Sequence, residues 1–156
     1  MLGLLFPRSI DNRFRGQRLG YWLMIPVLVL KFGIAIASIL TPGNANRADA
    51  IDLSTYSQAA LRDATTSTAL LGLLHLSIGL ICLLAMIRYR AMVPLLYLWL
   101  VIEFLGRRVI LAVYPIERTP GTSSGSMVNL ALFAMLALGL ALSVWPRRVA
   151  PEASAA

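Results

Sequence analysis

Long apolar stretches alternate with short polar ones along this chain, and four of them are long enough to cross a bilayer: residues 20–41, 66–87, 91–114 and 126–145. Each holds about 20 residues or more, which as a helix covers a hydrocarbon core of about 30 Å. Proline punctuates the pattern. Pro42 follows the first stretch, Pro94 lies in the first turn of the third, and Pro115 and Pro146 follow the third and fourth, all positions where a missing N–H costs least. Pro26 either kinks the first helix or falls in its first turn. The expected fold is an all-α integral membrane protein with four transmembrane helices in an up-down bundle. The Arg88–Arg90 turn is so short that the second and third helices must be antiparallel neighbours.

Flanking segments fill out the organisation. Residues 1–19 combine Leu4, Leu5, Phe6 and Phe14 with several arginines, as a basic interfacial segment does. Residues 20–145 form the membrane domain and 146–156 a short tail. In the loop 42–65, "LSTYSQAALRDA" predicts a helical turn or two lying on the membrane surface. Tyr21, Trp22, Tyr89, Tyr114 and Trp145 gather near the ends of the apolar stretches, where an aromatic belt sits.

Periodicity orients two of the helices. Thr68, Gly72, His75, Gly79, Cys82 and Met86 recur at spacings of three and four on one face of the second. Small residues let helices approach closely in lipid, so this face should turn inward and carry His75 with it. In the third helix Leu96, Trp99, Glu103, Arg107, Ile110 and Tyr114 share a face that is expected to turn inward, and Arg108 points about 100° away from Arg107. Arg107 stands four residues after Glu103, a spacing at which the two side chains can pair.

Composition agrees with a membrane address and removes other classes. Hydrophobic residues make up 58% of the 156, charged residues only 13%, and the mean hydropathy is +0.76, which leaves almost nothing for a soluble domain. The net charge of +7 does not point to nucleic acid, because the basic residues stand at the ends of the apolar stretches. Arg8, Arg13, Arg15, Arg18, Arg88, Arg90, Arg147 and Arg148 fall on one side if both termini share it. The opposite side mixes Arg47, Arg62 and Arg118 with Asp49, Asp52, Asp63 and Glu117. Both termini are therefore expected in the cytoplasm. The first stretch is longer than the roughly 7–15 residues of a signal-peptide core, so it is expected to remain as an uncleaved helix although "ADA" at Ala48–Ala50 resembles a cleavage site. A single cysteine, Cys82, builds neither a disulfide framework nor a redox pair.

Candidate chemistry lies in the polar residues within the apolar stretches: Lys31, His75, Glu103, Arg107, Arg108 and Asn129. By helical rise, Lys31, His75 and Glu103 fall near one level at mid-depth, and Arg107, Arg108 and Asn129 fall closer to the outer face. An ion at the centre of a spanning helix costs about 2.5–3.5 kcal/mol, so the three in the third helix cost about 8–10 kcal/mol. Its 13 Leu, Ile, Val and Phe residues between Met92 and Tyr114 return about 4–8 kcal/mol on the same scale. The helix needs partners, and Glu103 with Arg107 and Lys31 is the expected pairing.

Several functions use those residues. One histidine and one intramembrane carboxylate build no haem or metal site within one chain, no Gly-rich phosphate loop or hydrolase triad is present, and no cofactor is expected. With His75 neutral, Lys31, Glu103, Arg107 and Arg108 sum to +2, which favours an anionic or lipid-like ligand in a polar intramembrane pocket. Alternatively Glu103 and His75 exchange protons in an embedded acid/base enzyme acting on a lipid or quinone-like substrate. The cluster otherwise serves only to hold the helices together, or the protein is an accessory subunit pairing with another membrane protein or with a second copy.

The four-stretch layout, "GLLHLSIGLICLLAMIRYR" running into its basic turn, and "FLGRRVILAVY" closing the third stretch resemble small DoxX-like bacterial membrane proteins over most of the chain. The resemblance implies a four-helix bundle of the bacterial inner membrane, in a family sometimes regarded as membrane partners of redox proteins, and it carries no catalytic residue over. Small multidrug transporters also have four helices and an intramembrane glutamate, but in their first helix, where this chain has Lys31. Organic-cation export is therefore not expected.

Overall fold

Four long helices account for most of the chain in a computed structural model, which describes residues 2–6, 11–116, 118 and 124–145. A short α1 (Leu2–Leu5) precedes α2 (Arg18–Leu40), α3 (Pro42–Ala48), α4 (Gln58–Arg88), α5 (Val93–Val113) and α6 (Ser124–Val144), with a 3₁₀ turn at Arg90–Met92 between α4 and α5. Among the described residues there is no strand, only an isolated bridge between Ile51 and Arg118. By length and composition α2, α4 and α6 can each cross a membrane. α5 matches α6 in length but carries Glu103, Arg107 and Arg108. Arg8, Glu117, Pro146, Arg147, Arg148 and the tail 146–156 lie outside the described residues.

Much of the helix surface is apolar. Leu70, Leu73, Leu74, Ile81, Leu84, Val109 and Val113 are each more than half exposed, a pattern that suits lipid and would be insoluble in water. Trp22, Tyr89, Tyr114 and Trp145 are exposed at helix ends, where amphipathic rings meet the membrane boundary. Tyr21 turns partly inward instead and donates its hydroxyl to the Met86 carbonyl at 3.0 Å.

α2 is the central element, packed most extensively on α4 and then on α6, whereas α5 packs on α6 and touches α4 sparingly. Glycine creates the close α2–α4 seam. A Cβ on Gly72 would meet the Ser38 side chain at 2.8 Å and the Ala35 carbonyl at 2.9 Å, and one on Gly79 would meet the Phe32 ring at 3.0 Å. The small-residue stripe of α4 thus faces inward, with Gly72, Gly79, Cys82 and Met86 all buried. On α5 the buried stripe is Val93, Tyr97 and Leu100. Tyr97 is wholly buried and donates to the Gly20 carbonyl at 2.9 Å, and Phe104 stacks on Phe133 of α6 with centroids 4.6 Å apart.

That stripe corrects one expectation. Trp99, Ile110 and Tyr114 are 59%, 60% and 73% exposed, so α5 is rotated by roughly one residue step, about 100°, from the face the charges pick out. A second correction concerns the loop before α4. Ser57 caps α4 by accepting the Ala60 N–H at 3.2 Å, so Gln58 to Thr65 continue the long helix and form no separate surface helix. Pro26 lies well inside α2, not in its first turn.

α3 is short and ends on a bonded reversal. Ala50 adopts φ 57°, its N–H donates to the Arg47 carbonyl at 2.9 Å, and the Ile51 N–H donates to the Asn46 carbonyl at 3.0 Å. These are the two hydrogen bonds of a Schellman motif, with alanine where glycine is favoured. The left-handed conformation costs an L-residue about 1–2 kcal/mol, against about 0.4–1 kcal/mol of extra unfolded-state entropy for glycine. Ala50→Gly is therefore expected to stabilise the protein by about 0.5–1 kcal/mol, measured as a raised unfolding midpoint in detergent.

At the opposite end, residues 11–17 cross the tips of the long helices. Gln17 donates its N–H to the Leu142 carbonyl at 3.2 Å, and Ala91 donates to the Asp11 carbonyl at 3.3 Å. The Arg13 N–H and then the Arg15 guanidinium, 2.8 Å away, hold the Asp11 carboxyl below the usual carboxylate range.

Candidate functional site

Three helices deliver three side chains to one point. Lys31 comes from α2 with its side chain only 8% exposed, His75 from α4, and Glu103 from the rim of the buried face of α5. Glu103 Oε2 accepts from Lys31 Nζ at 2.5 Å, and Oε1 faces His75 Nε2 at 3.1 Å. A carboxylate oxygen facing Nε2 requires that nitrogen to carry a proton, so His75 donates even when neutral. Lys31 and Glu103 then cancel in charge. No buried side-chain nitrogen or oxygen among the described residues lacks a hydrogen bond, which is the condition for holding ions away from water.

Of the expected pairing, the Lys31 half is present and the Arg107 half is not. Lys31 and His75 occupy the two oxygens of Glu103, and Arg107 has no hydrogen bond or ion pair among the described residues. The reason is geometric, since partners from facing helices reach both oxygens head-on and leave the neighbour along α5 without one. Arg108 lies over the Phe104 ring, 5.4 Å from its centroid, close enough for a cation–π contact. Asn129 of α6 also lacks a partner among the described residues.

Two cavities meet at this point. The inner one, about 30 Å³, lies against Lys31, Glu103 and Phe104, room for about one water molecule. The outer one, about 260 Å³, opens towards the α3 end and shares His75, Arg107 and Asn129 with the first. Its walls add Arg108, Arg118, Asp49, Asn46 and Thr68. Asn46 is buried and accepts the Thr68 hydroxyl at 2.7 Å, which ties α3 to α4 and fixes the rim. All six of Lys31, His75, Glu103, Arg107, Arg108 and Asn129 therefore line one or both cavities.

Sequence reasoning missed Arg118, Asn46 and Asp49 as wall residues. Arg118 reads as loop, and only the bridge to Ile51 brings it to the rim. α3 had a readable signal, because Thr41 followed by Pro42 is a helix start with proline in the first turn.

Among the described residues no group of three or more metal-ligating side chains occurs. The outer cavity collects three arginines against one aspartate, and Arg107 on its wall has no ion pair among the described residues. Such a wall can seat an anion with several oxygens. No protein-family model, curated protein or solved structure matches the chain, so its functional reading rests on this geometry.

Proposed function

We propose that this protein crosses the bacterial inner membrane four times, with α5 spanning it alongside α2, α4 and α6 and both termini in the cytoplasm, and that its outer cavity binds an anionic ligand. The span is supported by energetics: pairing with Lys31 removes most of the penalty for Glu103, while Arg107 and Arg108 lie within about 9 Å of the end of α5, close enough to snorkel. The single observation carrying the ligand reading is Arg107. Glu103 is already neutralised by Lys31, so the guanidinium lining both cavities makes no ion pair among the described residues, and Asp49 is the one described carboxylate on the outer wall. A bound anion supplies that ion pair.

An acid/base enzyme is the weaker reading, because both Glu103 oxygens are engaged and neither is turned towards a substrate. Binding is tested with dodecyl phosphate on protein purified in a neutral maltoside detergent. Wild-type protein should bind it saturably, and Arg107→Ala should weaken binding by roughly 10- to 100-fold, the worth of a hydrogen-bonded charge. Arg62→Ala, outside the cavity walls, should leave the affinity unchanged. Equal affinities in wild type and Arg107→Ala would remove the proposal.

A further inference from the structure

The outer cavity is walled by residues of two opposite kinds. Arg107, Arg118 and Asn129 line it, and so do Leu71 of α4 and Ile110 of α5, which are 56% and 60% exposed on the apolar outside. A residue that belongs both to a cavity wall and to the lipid-facing surface marks a side opening. The packing explains why one exists here. The glycines that draw helices together on α4, Gly72 and Gly79, both face α2, and α5 is held mainly by α6, so α4 and α5 touch sparingly. On α5 itself, a Cβ added to Gly106 would meet nothing within 4 Å. His75 to Glu103 is the polar bond joining α4 and α5, and it lies at the inner end of the opening.

We infer that the ligand is a membrane phospholipid with an anionic phosphate head, entering sideways between α4 and α5. This rests on the anion-binding reading above and adds the ligand's class and its route. The head sits at Arg107 and Arg118, where the fork geometry of guanidinium suits phosphate oxygens. A volume of about 260 Å³ seats a glycerophosphate head and excludes two acyl chains, which therefore leave through the opening along Leu71 and Ile110 and stay in the bilayer. A water-soluble anion has no use for those two apolar walls. The chains gain nothing by binding, since lipid is as apolar as leucine, so selectivity resides in the head and access in the gap.

The test uses the full chain in nanodiscs of equimolar phosphatidylglycerol and phosphatidylcholine, read by native mass spectrometry of the released protein. Phosphatidylglycerol should be enriched on the protein about tenfold over phosphatidylcholine, whose phosphate is already neutralised by its own quaternary ammonium, a cation that the arginines repel. Millimolar glycerol 3-phosphate in the buffer should not displace it. Leu71→Trp, an enlargement on an exposed position that folding tolerates, should narrow the opening and bring the ratio towards one while the unfolding midpoint stays put. Displacement by glycerol 3-phosphate, or undiminished enrichment in Leu71→Trp, would show a site reached from water and overturn the lipid route, leaving anion binding in place. Undiminished enrichment in Arg107→Ala would overturn the lipid site and anion binding together.

Discussion

Lys31→Met is expected to destabilise the protein by about 3–5 kcal/mol, because it removes the ammonium that neutralises Glu103 and leaves that carboxylate hydrogen-bonded to His75 alone. α2 and α5 share few contacts, so the Lys31–Glu103 bond and the Tyr97 bond to the Gly20 carbonyl are the direct polar ties between them. Glu103→Gln alone should cost somewhat less, since an amide oxygen still accepts from Lys31 and the loss is confined to the charge. Joining the two substitutions removes both ions at once. The double variant should therefore be more stable than the sum of the single losses implies, with a coupling of about 1–3 kcal/mol. Unfolding midpoints in one detergent for the four proteins decide it. Strictly additive losses would mean that the two side chains do not interact.

Gly139→Leu should be at least as damaging, for a reason that involves no charge. A Cβ at this position would overlap the Tyr97 ring, and that ring has nowhere to go. It is fully buried and its hydroxyl is tied to the Gly20 carbonyl. Gly139→Ala should cost about 2–4 kcal/mol by overpacking and loss of the tyrosine bond, and Gly139→Leu should yield little folded protein. Gly33 provides the contrast. It lies exposed on α2 with nothing within 4 Å of an added Cβ, so Gly33→Ala should stabilise by about 0.5–1 kcal/mol through helix propensity alone. Combining Gly139→Ala with Tyr97→Leu should recover part of the loss. If Gly139→Ala matches wild type, α5 and α6 do not meet as described.

The two positions show what was and was not legible in the sequence. Lys31 and Glu103 could be paired on paper because an ion in an apolar helix is expensive and needs a partner at its own depth. Gly139 and Tyr97 could not, because one glycine and one tyrosine in uniformly apolar helices carry no contrast that tells inside from outside. The same lack of contrast misplaced the inner face of α5. In water the charged side of a helix faces out, in lipid it is drawn in, and here neither rule governs: Tyr97 and Leu100 fill the core while Glu103 sits at its rim. Spacing singled out Arg107 as the nearest partner of Glu103, yet contacts across helices won over the neighbour one turn along. The start of α4 was hidden for a simpler reason. Its first turns are too polar to read as span, though Ser57 caps them as helix. The inward glycine face of α4 was legible, because small residues at helical spacing have few other uses in lipid.

The Lys31–Glu103 bond joins residues 72 positions apart, and that separation sets a clock on biogenesis. At about 5–20 residues per second, a ribosome that has finished Lys31 needs roughly 4–14 s to make its counter-ion. For that interval α2 carries an unneutralised ammonium that lipid rejects. The nascent α2 must therefore linger at the insertion machinery, or let its lysine reach for the head groups, until α5 arrives. α5, in turn, enters most cheaply beside a helix that is already waiting for it.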